Sequence, residues 1–472
     1  MEQRVRIPLP LARAVARWCF GAMFLLVGTG ATASPPASTG HVSAHPSILL
    51  VTVDTMRADH LQVYGYARPT APYLTSLAKD ATVWTHAYST SSWTVPSVTS
   101  LLTGVYPASH GVVHGVMRGG HVFEQEVIPD DLPRLAEALK AAGYSTFGVT
   151  ANGHLDREHG FARGFDHFTC IGIGTAGQVN AVVRSWASAI RSSPGPVFMW
   201  LHYFDPHYPY HWRQPWSSRF GSNPTPHELQ LIGEIMHTWP KAPPEINRNR
   251  KRYLVVGKGL YDAEIRYWDT SFQQLLQQIP ELATYLLVVS ADHGEEFWDH
   301  GRLGHGVDLF NETVRVPLII RLPGGGPAVE RAEPVSLLDL PPTLVEAAGG
   351  KIPSNWQGRS LWQSMVTGKP VPPRPLLADL DRFEDKPRQL ALITSRFKFI
   401  FNDGTKSEKL FDLSSDFHEK RNLSGMDPQE ARKMYTELAD LVRSLPKPKQ
   451  PPRAAAISAQ REKQMRSLGY LK

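Results

Sequence analysis

The chain has 472 residues, a formal net charge of +6, 42% hydrophobic and 20% charged residues. That balance excludes a disordered polyelectrolyte and supplies apolar material for a large core. No dense lysine and arginine stripe is present, so nucleic acid is excluded as a partner, and the run NRNRKR (247–252) reads as a solvated loop.

At the start of the chain, Arg4, Arg6, Arg13 and Arg17 precede the apolar run WCFGAMFLLVGTGATAS and the small-x-small site Ala31-Thr32-Ala33. Residues 1–33 are predicted to be a secretory signal cleaved after Ala33, which puts the protein in the periplasm or outside the cell. The apolar run falls short of the roughly 20 residues of a spanning helix, so no stable membrane span is expected in the mature chain. Cys19 leaves with the signal, Cys170 is the remaining thiol, and no internal disulfide is expected. Residues 34–46 (SPPASTGHVSAHP) read as a flexible linker.

Buried-strand runs follow at 47–54 (SILLVTVD), 145–150 (STFGVT), 196–205 (PVFMWLHYFD) and 284–292 (TYLLVVSAD). They lack polar alternation, so both faces are expected to be covered. Helical spacing at 132–144 alternates with them, and the fold class is α/β, doubly wound around a mostly parallel sheet. Residues 47–370 form this domain. Residues 211–252, with Trp212, Trp216, Trp239 and several prolines, read as a long irregular insertion over the site. Residues 371–445 form a smaller α+β subdomain, in which 391–403 reads as one antiparallel strand and 428–444 as a helix. Residues 446–472 read as a Pro/Lys-rich tail.

Sites in open α/β sheets form beyond the carboxyl ends of strands. Asp54, Asp205 with His207, and Asp292 with His293 stand at three such ends. Asp54, Asp292 and His293 offer two carboxylates and an imidazole to a divalent metal, and Gly294 allows a sharp exit from the strand. His207, on a Pro- and Tyr-flanked turn, reads as a general acid. Thr94, in WTVPSVTSLLTG (93–104), reads either as a helix cap or as a nucleophile.

The stretches VTVDTMRADHLQVYGY, TVPSVTSLLTGVYPASHGV, LHYFDPHYPY, YDAEIRYWD, DHGEEFWDHG, VRVPLIIRLPG and LFDLSSDFHEKRNL resemble the sulfatase family of the alkaline phosphatase superfamily. The resemblance runs from about Ser47 towards the C-terminus. It implies an alkaline-phosphatase-like fold and a divalent metal, commonly calcium, at Asp54, Asp292 and His293, touching the nucleophile position. There the family carries Cys- or Ser-x-Pro-Ser-Arg, whose first residue becomes formylglycine; this chain has TVPSV, with Thr94 as the nucleophile and Val98 in place of the arginine.

Thr55 stands where the family often has an acidic ligand, so zinc or manganese is an alternative to calcium. Ala151 falls near a family lysine, with Asn152 and His154 as the substrate-binding residues there. His305 stands beside the position of a second lysine and joins Thr94 and His207 as a catalytic residue. With those cations gone, the histidines would carry the positive charge, and activity is expected to favour the acidic side of neutral. The expected activity is exported, metal-dependent hydrolysis of a sulfate or phosphate ester through Thr94, with a sulfated or phosphorylated glycan as a candidate substrate. Transfer of a phospho-group onto an envelope glycan and non-catalytic binding are the alternatives.

Overall fold

The computed structural model describes residues 45–119, 122–238, 244–382 and 387–467. The proposed signal, nearly all of the linker, Trp239 and the end of the tail lie outside the described residues. No described helix is long and apolar enough to cross a membrane.

The central sheet has nine strands: β1 (Ile48–Val53), β2 (Thr82–Tyr88), β3 (Ser145–Thr150), β4 (His167–Cys170), β5 (Val197–Tyr203), β6 (Leu286–Ala291), β7 (Arg315–Arg321), β8 (Val329–Arg331) and β9 (Val335–Ser336). Their order is β8-β2-β7-β6-β1-β5-β3-β4, with β9 also on β2. The four strands read from the sequence are adjacent and parallel at its centre. Every residue of β1, β5 and β6 is buried, as both-face covering requires. β7 runs antiparallel to both β2 and β6, so the sheet is mixed rather than wholly parallel.

Register sets up the site. Val53 lies opposite both Tyr203 and Ala291, so the next residues, Asp54 and Asp292, leave the sheet at one level. Thr52 and Thr150 both lie opposite His202, which brings Asn152 to the same edge.

Helix α1 (Thr94–Thr103) packs beneath that edge and is buried along its whole length. Trp93 occupies its cap position and Thr94 is the first helical residue, so Thr94 is not the cap. Two of the other hydroxyls have structural tasks. Ser97 Oγ donates to the Asp292 carbonyl at 2.6 Å, which ties α1 to the end of β6. Thr103 Oγ1 donates back to the Thr99 carbonyl at 2.7 Å.

Three expectations change. Residues 211–252 are largely helical: Trp216–Arg219, Pro226–Thr238 and Pro244–Arg248 lead into a helix over Arg250–Gln278. NRNRKR is exposed, as read, but spans a helix junction rather than a loop. The 391–403 run is a hairpin, Gln389–Ile393 against Phe397–Asn402, in a four-stranded antiparallel sheet covered by the helix Pro428–Ser444. Apolar alternation continues through the turn and hides it.

The tail is also structured. Ala454–Ala456 pairs antiparallel with Val122–Glu126, and a helix over Ala459–Ser467 follows. Pro/Lys-rich composition at 446–453 gave no signal of the pairing that follows it.

Candidate active site

Asp54 and Asp292 are fully buried side by side. Burial pushes the Asp54 carboxyl up to about 6, and burial together with Asp54 holds Asp292 well above the ordinary carboxylate range. Asp54 Oδ1, Asp292 Oδ2 and Thr55 Oγ1 are buried without a hydrogen-bond partner. Two adjacent carboxylates in a dry site repel unless a proton or a cation stands between them.

The surrounding donors fit a cation. Asp54, Asp292 and His202 bring ligand atoms within 4.8 Å of one another. His293 Nε2 lies 3.6 Å from both Asp54 Oδ1 and Asp292 Oδ2. Sequence reasoning identified His293 but missed His202, an imidazole within the apolar run of β5. Thr52 orients the His202 ring. Its Oγ1 accepts from Trp200 Nε1 at 3.0 Å and directs its own proton to the Leu201 carbonyl at 3.4 Å. It therefore accepts His202 Nδ1–H at 2.8 Å, leaving Nε2 with a lone pair 3.5 Å from Asp54 Oδ2. Thr55 adopts a left-handed φ of 57°, and its N–H donates to Asp292 Oδ1 at 3.3 Å.

Thr94 faces this group. Its hydroxyl lies 3.3 Å from His293 Nε2. His293 Nδ1 donates to the Gly294 carbonyl at 2.9 Å, so Nε2 is the acceptor and Thr94 the donor. Asn152 Nδ2 reaches Asp54 Oδ2 at 2.6 Å and Thr94 Oγ1 at 3.5 Å. Gly294 has no left-handed φ; a Cβ there would stand 2.0 Å from the Glu312 carbonyl oxygen. Close approach of backbone, rather than a sharp turn, requires the glycine.

A second ring of side chains adjoins the first. His305 lies 4.5 Å from His293 and 5.0 Å from His207, centroid to centroid. His305 Nδ1 pairs with Glu295 Oε1 at 3.0 Å, and Tyr210 donates to Glu295 Oε2 at 3.2 Å. Burial raises Glu295 to about 7. His207 stacks on Phe204 at 4.4 Å and donates Nδ1–H to the Tyr208 carbonyl. Arg382 donates to the His305 carbonyl at 3.2 Å and lies over the Trp93 ring at 4.9 Å. Glu295 and Arg382 were missed. Glu295 directly follows DHG and could have been found, whereas Arg382 follows a strand of the small sheet and has no local signal.

The expected charge on the histidines is corrected. Burial first, then neighbouring positive groups, holds His154, His293 and His305 well below the ordinary imidazole range, and burial also lowers His207. These rings are neutral at pH 7, so acid-favoured activity has no support here, and Arg382 supplies the fixed positive charge beside them. His154 stands behind the site, edge-on to Trp93 at 6.2 Å. Asp205 turns away from the site and accepts from the Ala176 N–H at 2.6 Å and Arg213 Nη2 at 2.9 Å.

Comparison with known proteins agrees with this architecture. The sulfatase family model matches residues 46–350, and an N-sulphoglucosamine sulphohydrolase C-terminal model matches 299–447. Arylsulfatase K of Xenopus laevis is 22% identical, over 79% of this chain and 77% of its own length. An ulvan-active sulfatase of Formosa agariphila is 24% identical over 70% of this chain and 67% of its own length. Among solved structures, Ps i-CgsB superposes with a TM-score of 0.65 at 19% identity, covering 90% of this chain and 97% of that one. The phosphonate monoester hydrolase of Agrobacterium radiobacter gives 0.65 at 19% identity, over 85% and 96%. The family match, extending over the strands that carry Asp54, His202 and Asp292, places the chain in the sulfatase family of ester hydrolases.

Proposed function

We propose that the protein is an exported, metal-dependent hydrolase of sulfate or phosphate esters with Thr94 as its nucleophile. The observation that carries this reading is the Thr94 hydroxyl at the start of a buried helix, 3.3 Å from His293 Nε2, one of the atoms that face the two buried carboxylates. Helix N-termini present N–H groups to anions. Asp54, Asp292, His202 and His293 would hold the metal, with Thr55 and Thr94 Oγ1 beside them. The metal would supply positive charge to the nucleophile and to the anionic ester. Two imidazoles with two carboxylates suit zinc or manganese better than calcium, which takes six to eight oxygens.

As Thr94 Oγ attacks the phosphorus or sulfur, its proton passes to the unprotonated Nε2 of His207, whose Nδ1–H is held by the Tyr208 carbonyl, and His207 returns that proton to the departing ester oxygen. Water then attacks the threonine ester, releasing the free anion and restoring the hydroxyl. His305, held by Glu295, and Arg382 hold the transferred group, and Asn152 orients Thr94. A lone hydroxyl has no second oxygen with which to expel sulfate as an aldehyde forms, so phosphoryl esters are favoured. The phosphonate monoester hydrolase among the structural neighbours supports that preference. Sulfated saccharides named for other neighbours make a glycan ester a candidate substrate. The N-terminal basic and apolar runs support export.

The test is turnover of an aryl sulfate, a phosphate monoester and a phosphonate or phosphate diester with manganese, zinc or calcium. Metal-dependent turnover that Thr94→Ala abolishes is the expected result. Equal turnover by that variant would overturn the reading.

A further inference from the structure

The C-terminal segment brings a buried arginine to the back of the site. Ala455 pairs opposite Gln125, and Ile457 and Met465 form a small apolar cluster with Val116 and Phe123. This docking buries Arg461 to 5% exposure. Its Nη1 donates to Asp156 Oδ2 at 2.6 Å, and its Nη2 donates to Gln125 Oε1.

Arginine can only donate hydrogen bonds, so the Gln125 atom facing it must be the oxygen. Gln125 Nε2 then faces, and donates to, the His154 carbonyl at 3.0 Å. The same Oε1 lies 2.7 Å from His154 Nδ1, closer than Arg461 Nη2 at 3.3 Å, so Nδ1–H donates to Oε1 and Nε2 keeps the lone pair. The His154 N–H in turn donates to Asn152 Oδ1 at 2.9 Å, so Asn152 Nδ2 points to Asp54 and Thr94. Arg461 and the His154 carbonyl together set the polarity of Gln125, and Gln125 sets the His154 tautomer, while the Asn152 amide is oriented by the backbone N–H of the same turn.

We propose that Arg461 is a positioning residue: through Gln125 it fixes the His154 tautomer, and through Asp156 it anchors the 152–156 turn that holds the Asn152 amide on Thr94. Arg461 touches neither substrate nor metal. The consequence for Thr94 rests on the function proposed above, whereas the effect on the His154 ring does not.

The experiment uses full-length Arg461→Gln and Arg461→Lys with two readouts. The first is the imidazole nitrogen spectrum, with His154 assigned by its loss in His154→Asn. The wild type is expected to show a neutral Nδ1–H ring. Arg461→Gln, whose amide offers either polarity to Gln125, should show a mixture with Nε2–H, and Arg461→Lys should restore the single form. The second is steady-state turnover of an aryl phosphate well below the melting temperature. A tenfold or greater fall in kcat is expected for Arg461→Gln at nearly unchanged KM, with partial recovery in Arg461→Lys. An unchanged ring spectrum in Arg461→Gln overturns the proposal. So does a lowered melting temperature with unaltered spectrum and kcat, which would make Arg461 only an anchor for the tail. A changed spectrum in a protein whose wild type turns over nothing supports the tautomer chain and counts against the proposed function.

Discussion

Asp54 and Asp292 are the residues on which local physics presses hardest. Both lie in a dry site with raised pKa values and unpartnered oxygens. Removing one carboxylate should therefore relieve repulsion in protein stripped of metal. Asp292→Asn is predicted to unfold a few degrees higher than the wild type in chelator, a gain on the order of 1 kcal/mol. It should also lose the stabilisation that added manganese or zinc gives the wild type, about 2.7 kcal/mol at a hundredfold excess over Kd. Calorimetry with and without chelator checks both signs, and an equal metal-induced shift in the two proteins would remove Asp292 from the metal site. The aspartates were legible in the sequence because each ends an apolar strand. His202 was not, because a metal-facing imidazole inside β5 looks the same on paper as a core histidine.

Elements place these residues by close contact. β6 leaves the sheet through Gly294, where the Glu312 carbonyl already occupies the space of a Cβ. Gly294→Ala should destabilise the protein by about 1–3 kcal/mol through overpacking and should weaken metal binding, measured by unfolding and by metal titration. Retained metal affinity would show that β7 and its approach can shift without moving Asp292.

The helix Arg250–Gln278 meets the end of β5 at a second acidic pair. Glu264 and Asp205 share Arg213, at 2.8 and 2.9 Å. Burial and Asp205 raise Glu264 from 4.5 to about 8. The folded state thus holds more protons than the unfolded between those values, and this pair's contribution to stability falls as pH rises from about 5 to about 8. Glu264→Gln should flatten that slope in denaturant unfolding at several pH values; an unchanged slope would show that Glu264 ionises normally. Strand positions were readable because β1, β3, β5 and β6 are uninterrupted apolar runs. The helices of 211–252 were not, because prolines at their starts resemble loop punctuation until the N1 positions are seen.

At the scale of the whole molecule, segments far apart in sequence complete one site. Asp54, Thr94, Asn152, His202, Asp292 and Arg382 come from six separate stretches, gathered by parallel register and by the small sheet packed beside it. The sequence motifs announced the strand ends and the family resemblance. They could not announce Arg382 or Arg461, whose roles depend on which distant surfaces the chain closes against. The missing motif arginine and lysines therefore do not leave the site without positive charge, since Arg382 stands against His305 and Trp93.

The proposed reaction requires Thr94 to make and release an ester. Its most direct measurement is mass spectrometry of the peptide carrying Thr94 after rapid quenching during turnover of an aryl phosphate or aryl sulfate. An adduct of about 80 Da on Thr94 that disappears as substrate is exhausted is the expected result, with accurate mass separating phosphate from sulfate. Turnover with Thr94 unmodified at every quench time, and equally fast in Thr94→Ala, would contradict it.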